Sequence, residues 1–287
     1  MIPATFEYHR PTTIDDAVKL LAQYGDDARV MAGGHSLIPM MKLRLAVPGH
    51  LVDLQDIGSL KVVKDAGGVI EIGAMTTQRE IIQSQILGAA CPILKETAEQ
   101  IADPQVRYCG TLGGNVANGD PGNDMPAVMM ALDALYVVKG SGPAREIKAR
   151  QFYEGAYATA LQEGEILTTI RIPKPASGHG WAYQKQKRKI GDYATAAAAA
   201  ILSVSGGKCT AAAIALTNVG DTPLFAEAAG AALVGTSLDA AAIEKAAQAA
   251  VGITQPAKDA RGPVDFRRAV AGVMVRRAIA AAAKRAR

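Results

Sequence analysis

Four Gly-Gly pairs constrain how this 287-residue chain can fold, because paired glycines mark tight turns and close backbone contacts. Gly67-Gly68 and Gly206-Gly207 lie between short apolar runs, a pattern typical of β-hairpin turns. Gly33-Gly34 and Gly113-Gly114 lie instead beside small hydroxyl and amide side chains. Backbone N–H groups at such glycines can surround an anion. From the pattern alone, each of these two segments is either a phosphate-binding loop or an ordinary tight loop.

The spacing of apolar residues predicts an α+β chain in three parts, covering residues 1–55, 56–177 and 178–287. Thr13 is placed to cap an amphipathic helix that ends near Gly25. The other predicted strands are 28–32, 51–54, 61–63, 69–72, 135–138 and 166–172. The other predicted helices are a short one after Gly34, one from Thr76 or Thr77, and 93–101, 125–132, 227–234, 240–252 and 265–284.

Two alanine-rich segments, 194–205 and 209–217, lie on either side of Gly206-Gly207. Alanine favours a helix in isolation. The turn signal between the segments and their lengths favour a pair of antiparallel strands instead. We therefore predict strands here, against the intrinsic preference of the residues.

The composition excludes several classes of protein. Hydrophobic residues make up 49% of the chain and charged residues 20%, which favours a packed core over disorder. The net charge is +4, yet residues 261–287 hold eight basic residues and one acidic residue, so the rest of the chain is slightly acidic and no nucleic-acid-binding surface is expected. The basic segment predicts a helix that either docks on the protein with its arginines in solvent or meets an anionic membrane surface.

Cysteine and histidine positions give no sign of a metal or disulfide site. Cys91, Cys109 and Cys209 lack the spacing of a zinc site or a disulfide framework, and His9, His50 and His179 are scattered along the sequence. No signal-peptide pattern is present, and no apolar run is long enough to cross a membrane. We therefore expect a soluble protein of the reducing cytoplasm.

Four motifs follow one another along the chain: Ala-Gly-Gly-His-Ser-Leu at 32–37, Ile-Ala-Asp-Pro-Gln-Val-Arg-Tyr at 101–108, Gly-Thr-Leu-Gly-Gly-Asn at 110–115 and Gly-Asp-Tyr-Ala-Thr-Ala at 191–196. Together they resemble the FAD-binding medium subunits of molybdenum hydroxylases, and within that family most of all those of aerobic carbon monoxide dehydrogenases. The resemblance covers essentially the whole chain. It implies a two-part FAD-binding fold of the vanillyl-alcohol-oxidase/p-cresol-methylhydroxylase type, completed by a C-terminal antiparallel sheet with a three-helix bundle.

The same resemblance implies which residues contact FAD. Around the pyrophosphate they are Ala32, Gly33, Gly34, His35 and Ser36 in the first loop and Thr111, Gly114, Asn115 and Asn118 in the second. Around the flavin they are Ile101, Val106, Gly110, Leu161, Lys185 and Tyr193. Leu37, Ala102 and Gly113 are further cofactor-binding positions. Asp124 matches a position near the ribose. The family binds FAD non-covalently, so no covalent bond to His35 is expected.

Physical arguments leave alternatives open at three of these residues. A carboxylate beside phosphate repels it, so Asp124 suits a ribose hydroxyl or loop N–H groups, or it only caps the loop or the next helix. Tyr193 either stacks on or shields a flavin ring or packs at the start of a strand. Lys185 lies in a basic run that is mostly a solvated face, although one lysine near the flavin would stabilise a reduced, anionic ring. No acid–base catalytic residue is expected.

The resemblance also implies partner subunits. It implies oxidation of carbon monoxide and water to carbon dioxide at a molybdenum cofactor on a large subunit, two [2Fe–2S] clusters on a small subunit, and electron transfer through FAD to a quinone-type acceptor, in a dimer of heterotrimers. Two such clusters need eight cysteine ligands, and this chain has three cysteines. The alternatives are another molybdenum hydroxylase acting on an N-heterocycle or aldehyde, a self-sufficient flavin oxidase, or a non-enzymatic nucleotide-binding protein.

Overall fold

A small parallel sheet forms the N-terminal part of the structure, a computed structural model that describes residues 1–287. Its strands pair in the order β1-β3-β2. The elements are β1 (Glu7–His9), α1 (Ile14–Tyr24), β2 (Ala28–Met31), α2 (Leu37–Lys42) and β3 (His50–Asp53). The predicted capping of α1 is confirmed, since the Thr13 hydroxyl accepts from Asp16 N–H and the helix ends at Gly25.

The middle part is an antiparallel sheet of five strands in the order β4-β5-β10-β6-β7, covered by short helices. The strand predicted at 61–63 was placed too early, because residues 58–61 form a 3₁₀ turn and pairing begins only at Val63. The elements are β4 (Val63–Asp65), β5 (Val69–Gly73), α3 (Gln78–Gln83), α4 (Gln85–Ala90), α5 (Pro92–Ala98), α6 (Pro104–Cys109), α7 (Leu112–Ala117), α8 (Met125–Ala131), β6 (Leu135–Lys139), β7 (Arg145–Lys148), β8 (Tyr153–Gly155), β9 (Ala158–Thr159) and β10 (Ile166–Pro173).

A four-stranded antiparallel sheet and three helices make up the C-terminal part. The elements are β11 (Gly180–Gln186), β12 (Ala196–Ser205), β13 (Lys208–Thr217), β14 (Leu224–Phe225), α9 (Glu227–Leu233), α10 (Ala240–Gly252) and α11 (Val264–Arg285). The prediction of alanine-rich strands is confirmed. Alternate residues explain it: Ala197 and Ala199 join the core of the middle part, while Ala198 and Ala200 join a core formed with the C-terminal helices. The free energy gained by burying both faces of a central strand outweighs the intrinsic preference of alanine for a helix.

The basic helix α11 lies on the C-terminal sheet, and the expectation that its arginines are in solvent is wrong for two of them. Arg267 is 2% exposed; its guanidinium donates to Ala257 O at 2.8 Å and to Thr195 O at 3.2 Å, and pairs with Asp259. Arg285 is half-buried, pairs with Glu96 of α5 at 2.5 Å and donates to Trp181 O. Burial of an arginine requires this many partners. These two side chains therefore fasten both ends of α11.

Two of the three hydrophobic cores include residues from a neighbouring part of the chain. The N-terminal core around α1 includes Met75 and Ile166 of the middle part, and the middle core includes Tyr183 of the C-terminal sheet. The α+β architecture predicted from the sequence is confirmed, whereas division of the chain at residues 55 and 177 stays a prediction. No helix in the structure has both the length and the apolar character needed to cross a membrane.

Candidate functional site

A deep cleft of about 890 Å³ lies between the N-terminal and middle parts, with the C-terminal sheet closing one end. Its size falls in the range of cofactor sites. All of the residues that the sequence assigned to the cofactor line it: Ala32, Gly33, Gly34, His35, Ser36, Leu37, Ile101, Ala102, Val106, Gly110, Thr111, Gly113, Gly114, Asn115, Asn118, Asp124, Leu161, Lys185 and Tyr193. The fold thus brings together residues from all three parts of the chain, most of them in loops and short helices.

The loop after β2 offers a row of free backbone donors. The N–H groups of Gly33, Gly34, His35 and Ser36 donate to no other group of the protein. Gly34 has φ +71°, which turns the chain from β2 into α2. The His35 imidazole folds back onto its own loop, with Nδ1 2.8 Å from Gly33 O. Successive unpaired N–H groups at a cleft wall form a binding surface for an anion such as a pyrophosphate.

The second glycine pair differs from the first, and the prediction that it lies in a loop is wrong. Gly113 and Gly114 form the first turn of α7, where Thr111 caps the helix by accepting from Gly114 N–H at 3.0 Å. Gly113 N–H donates to Ala74 O, and Asn115 N–H donates to Thr111 O. These backbone donors are therefore already used within the protein.

Side chains supply the free donors on this second wall. The amide oxygen of Asn115 accepts from Met125 N–H at 3.2 Å, while its Nδ2 group has no protein partner. The Asn118 amide likewise makes no hydrogen bond to the protein, and the Thr111 hydroxyl acts within the protein only as an acceptor. The free donors that this wall offers to a ligand are therefore two amides and a hydroxyl, which line the cleft along α7.

Close packing explains why glycines are needed on both walls. A Cβ atom on Gly33 would overlap the carbonyl of Cys109, and one on Gly113 would lie 2.5 Å from the Ala74 side chain. A Cβ atom on Gly114 would lie 3.5 Å from that of Ala32, so the two glycine pairs approach each other. The first pair therefore supplies both donors and room, whereas the second pair mainly supplies room.

Asp124 is the centre of a buried polar group at the end of the cleft. It is 4% exposed; Oδ2 accepts from Lys185 Nζ at 2.7 Å and Oδ1 accepts from the Tyr183 hydroxyl at 2.6 Å. It makes no side-chain bond at the start of α8, and Asp120 is the carboxylate that accepts from Gly122 N–H. The interpretation of Asp124 as a cap is therefore wrong. Burial, followed by the neighbouring Asp124, raises the pKa of Tyr183 well above its usual value.

Lys185 is not part of a solvated face. Its side chain is 1% exposed and its charge is matched by Asp124, so the pair presents a fixed dipole to the cleft and not a free positive charge. Lys187 lies close by, and burial together with the Lys185 charge lowers its pKa. Tyr183 and Lys187 were not singled out from the sequence, because the strand β11 was not predicted and nothing local links these residues to Asp124.

Tyr193 stands at the rim of the cleft. Its ring packs against Gly122, where a Cβ atom would lie 2.7 Å from Tyr193 Cδ1. Burial and the Asp120 carboxylate raise the pKa of the Tyr193 phenol, so the hydroxyl stays neutral. Asp192 pairs with Arg188 at 2.8 Å and holds the adjoining turn. The residue is still 42% exposed and lies at the start of no strand, so it remains available to cover a ligand.

Gln78 lines the cleft and was missed from the sequence. It is 1% exposed, yet neither atom of its amide group has a hydrogen-bond partner within the protein. Buried polar groups without partners are costly, so a site that leaves them unpaired suits a polar ligand. The residue follows the capping Thr77 of α3, a position where a glutamine normally faces solvent, so the sequence carries no signal for it.

Comparison with protein-family models identifies the family. Residues 4–175 match the FAD binding domain in molybdopterin dehydrogenase, and residues 181–282 match the CO dehydrogenase flavoprotein C-terminal domain. The chain belongs to the molybdopterin dehydrogenase FAD-binding family. The cofactor of this flavoprotein is FAD, and the resemblance seen in the four motifs is confirmed.

Individual relatives agree over the whole length of this flavoprotein. The carbon monoxide dehydrogenase medium chain of Afipia carboxidovorans is 60% identical, and the alignment covers 100% of both chains. The reconstituted CO dehydrogenase from Oligotropha carboxidovorans contains a chain that matches with a TM-score of 0.99 at 60% identity, again over 100% of both chains. A chain of quinoline 2-oxidoreductase from Pseudomonas putida 86 matches with a TM-score of 0.94 at 36% identity over 99% of both.

Proposed function

We propose that this flavoprotein is the FAD-carrying medium subunit of a carbon monoxide dehydrogenase, which oxidises carbon monoxide with water to carbon dioxide. The observation that carries the proposal is the full-length 60% identity to a carbon monoxide dehydrogenase medium chain, against 36% to the quinoline enzyme. The quinoline enzyme supports a second candidate, a molybdenum hydroxylase acting on an N-heterocycle, since the same fold serves that chemistry. Both candidates place the oxidation of the primary substrate on a partner chain.

The glycine loop at residues 33–36 and the opposite wall of the cleft, formed by α7, are proposed to hold the pyrophosphate of FAD from two sides. The N–H groups of Gly33, Gly34, His35 and Ser36 donate from one wall, because none of them has a protein partner. The amides of Asn115 and Asn118 donate from the other. A negatively charged group held by this many donors needs no lysine or arginine. The unpaired amide of Gln78 fits the same polar ligand.

The end of the cleft around Asp124 and Tyr193 is proposed to hold the ribose and the flavin. The flavin supplies redox chemistry that links two-electron and one-electron carriers. The Asp124–Lys185 pair, fixed by Tyr183, orients charge at this end without moving a proton. Tyr193 covers the ring and limits the access of water. No acid–base residue is required, because the task of the chain is to bind, orient and shield.

Electrons are proposed to arrive from [2Fe–2S] clusters on a small partner subunit and to leave for a quinone-type acceptor. Cys91 and Cys209 are buried and Cys109 is exposed, and none of them lies in a cluster of metal-ligating side chains. The clusters and the molybdenum cofactor are therefore assigned to partner chains, in a dimer of heterotrimers on the cytoplasmic side of the membrane.

Carbon monoxide is expected to bleach the flavin absorption band of the assembled complex. The reduced complex is then expected to reduce a soluble quinone in preference to NAD⁺. The measurement is stopped-flow absorbance of the complex co-expressed with its large and small subunits. The isolated chain, loaded with FAD, is the control and should show no bleaching by carbon monoxide. Bleaching by quinoline or an aldehyde, but not by carbon monoxide, would support the second candidate; substrate turnover by the isolated chain would support a self-sufficient oxidase.

Peripheral attachment to an anionic membrane is proposed through three exposed basic residues: Arg277 and Lys284 of α11, and Arg287, which follows the helix. Each such charge contributes about 1 kcal/mol at an anionic surface. The double variant Arg277→Gln/Lys284→Gln of the complex should therefore bind anionic vesicles about 30-fold more weakly, measured by co-sedimentation at low salt. Lys61→Gln/Lys208→Gln removes two exposed charges elsewhere and serves as the control. Equal binding by both double variants would contradict attachment through α11.

A further inference from the structure

Two histidines and a glutamate converge beside the paired strands β1 and β3 of the N-terminal sheet. Glu7 and His9 are two residues apart on β1 and so lie on the same face, and Glu7 pairs in register with His50 of β3. His9 Nε2 lies 3.0 Å from His50 Nδ1, and Glu7 Oε2 lies 3.7 Å from the same His50 Nδ1. One ligand-type atom from each side chain falls within 4.8 Å of the other two.

The His50 ring is held with Nδ1 facing the other two side chains. On the opposite edge of the ring, Nε2 lies 3.9 Å from Asp27 Oδ2. Asp27 is itself fixed, because its Oδ1 accepts from Gly49 N–H at 2.8 Å. The Tyr24 ring stacks on His50 with centroids 3.6 Å apart and planes 11° apart. At 3.9 Å the Asp27 carboxylate is beyond hydrogen-bond distance and acts on His50 through its charge, on the side of the ring where metal-binding histidines usually have a carboxylate neighbour.

We propose that Glu7, His9 and His50 bind one divalent transition-metal ion, for which zinc is the best fit. The set offers two imidazole nitrogens and one carboxylate oxygen, with the fourth tetrahedral position left for water. Zinc–nitrogen bonds of about 2.0–2.1 Å place tetrahedral ligands roughly 3.3 Å apart, close to the spacing of the two facing nitrogens. Calcium and magnesium prefer sets made only of oxygen.

The site is separate from the cofactor cleft. Ala28, the first residue of β2, pairs with His50, whereas the glycine loop follows Met31 at the other end of the same strand. None of the three ligand side chains lines the cleft. The ion would join the three-residue edge strand β1 to the central strand β3 and so stabilise the N-terminal sheet, without any part in electron transfer.

Isothermal titration of the full-length chain, purified without a histidine tag and treated with chelator, tests the proposal with zinc chloride as the titrant. One saturable site per chain is expected for zinc and none for magnesium. His9→Asn and Glu7→Gln should each weaken zinc binding at least about tenfold, and Asp27→Asn should do so through His50 alone. Glu154→Gln changes an exposed carboxylate elsewhere and should leave binding unchanged.

Thermal unfolding supplies a second readout. Zinc should raise the Tm of the wild-type chain and of Glu154→Gln, and should leave the Tm of His9→Asn unchanged. Asparagine can keep a hydrogen bond to His50, so this variant should fold; if it does not, Glu7→Gln decides the matter by the same titration. Absence of saturable binding, or equal affinity in wild type and both ligand variants, would show that the cluster is only a hydrogen-bonded histidine pair.

Discussion

A Gly33→Ala chain should fold yet fail to retain FAD through purification. The added Cβ atom would overlap the backbone carbonyl of Cys109, so the loop must move away from the cleft wall. That movement misplaces the four N–H groups from Gly33 to Ser36 that have no protein partner. Each hydrogen bond to a charged group is worth about 1.5–3 kcal/mol, so losing two of them weakens FAD binding at least about 100-fold.

The measurement is the flavin absorbance per chain after gel filtration, followed by titration of the FAD-free chain with FAD. Gly68→Ala is the matched control, because its glycine lies in a hairpin where a Cβ atom would meet nothing within 4 Å. It should bind FAD like the wild type. If Gly33→Ala retained full FAD content with unchanged affinity, the assignment of the pyrophosphate to this loop would be wrong.

An Asp124→Asn chain should lose about 3–5 kcal/mol of its free energy of unfolding, because the Lys185 ammonium group is left buried without its partner. The same change also weakens the bond from the Tyr183 hydroxyl to Oδ1. Lys185→Met alone should cost less, because Asp124 keeps that bond. The double variant Asp124→Asn/Lys185→Met should regain much of the loss, since no unpaired charge remains in the interior.

Urea unfolding of the FAD-free chains, arranged as a double-mutant cycle, measures the coupling between the two side chains. Lys19→Met breaks the exposed pair between Lys19 and Asp16 and should leave the stability unchanged. Additive effects of the two single changes would show that Asp124 and Lys185 act independently. In that case the pair would not be the fixed dipole that we propose at the flavin end of the cleft.

Sequence reasoning was most successful where a pattern is local. A hairpin signal between two segments of suitable length outweighed alanine's preference for helix, and β12 and β13 form as predicted. The helix cap at Thr13 is equally local, because the capping side chain and the N–H group that it accepts from are three residues apart. The four motifs in their order were sufficient to indicate the family by resemblance. In the structure, each motif contributes residues that line the same cleft.

Sequence reasoning was wrong where a role depends on partners distant in the chain. Gly113-Gly114 has the same small polar neighbours as Gly33-Gly34, yet the N–H group of Gly113 is taken by the carbonyl of Ala74, which lies far earlier in the chain. Asp124 was open to several roles until the fold placed Lys185 and Tyr183, about sixty residues later, against its two oxygens. The packing of Arg267 and Arg285 was missed for the same reason, because the sequence of a basic helix does not show which of its sides packs against the protein.

The sequence by itself determined the fold class through periodicity and turn chemistry, and the resemblance of the four motifs indicated the family and a set of residues that line one cleft. Only the tertiary structure decided which glycine pair has free N–H groups, where the charge of Lys185 is neutralised, and that His9 and His50 stand 3.0 Å apart. The physical reason is the same for all three. Hydrogen bonds and charge pairs act over a few ångströms, and strand pairing can bring residues within that range whatever their separation in the chain.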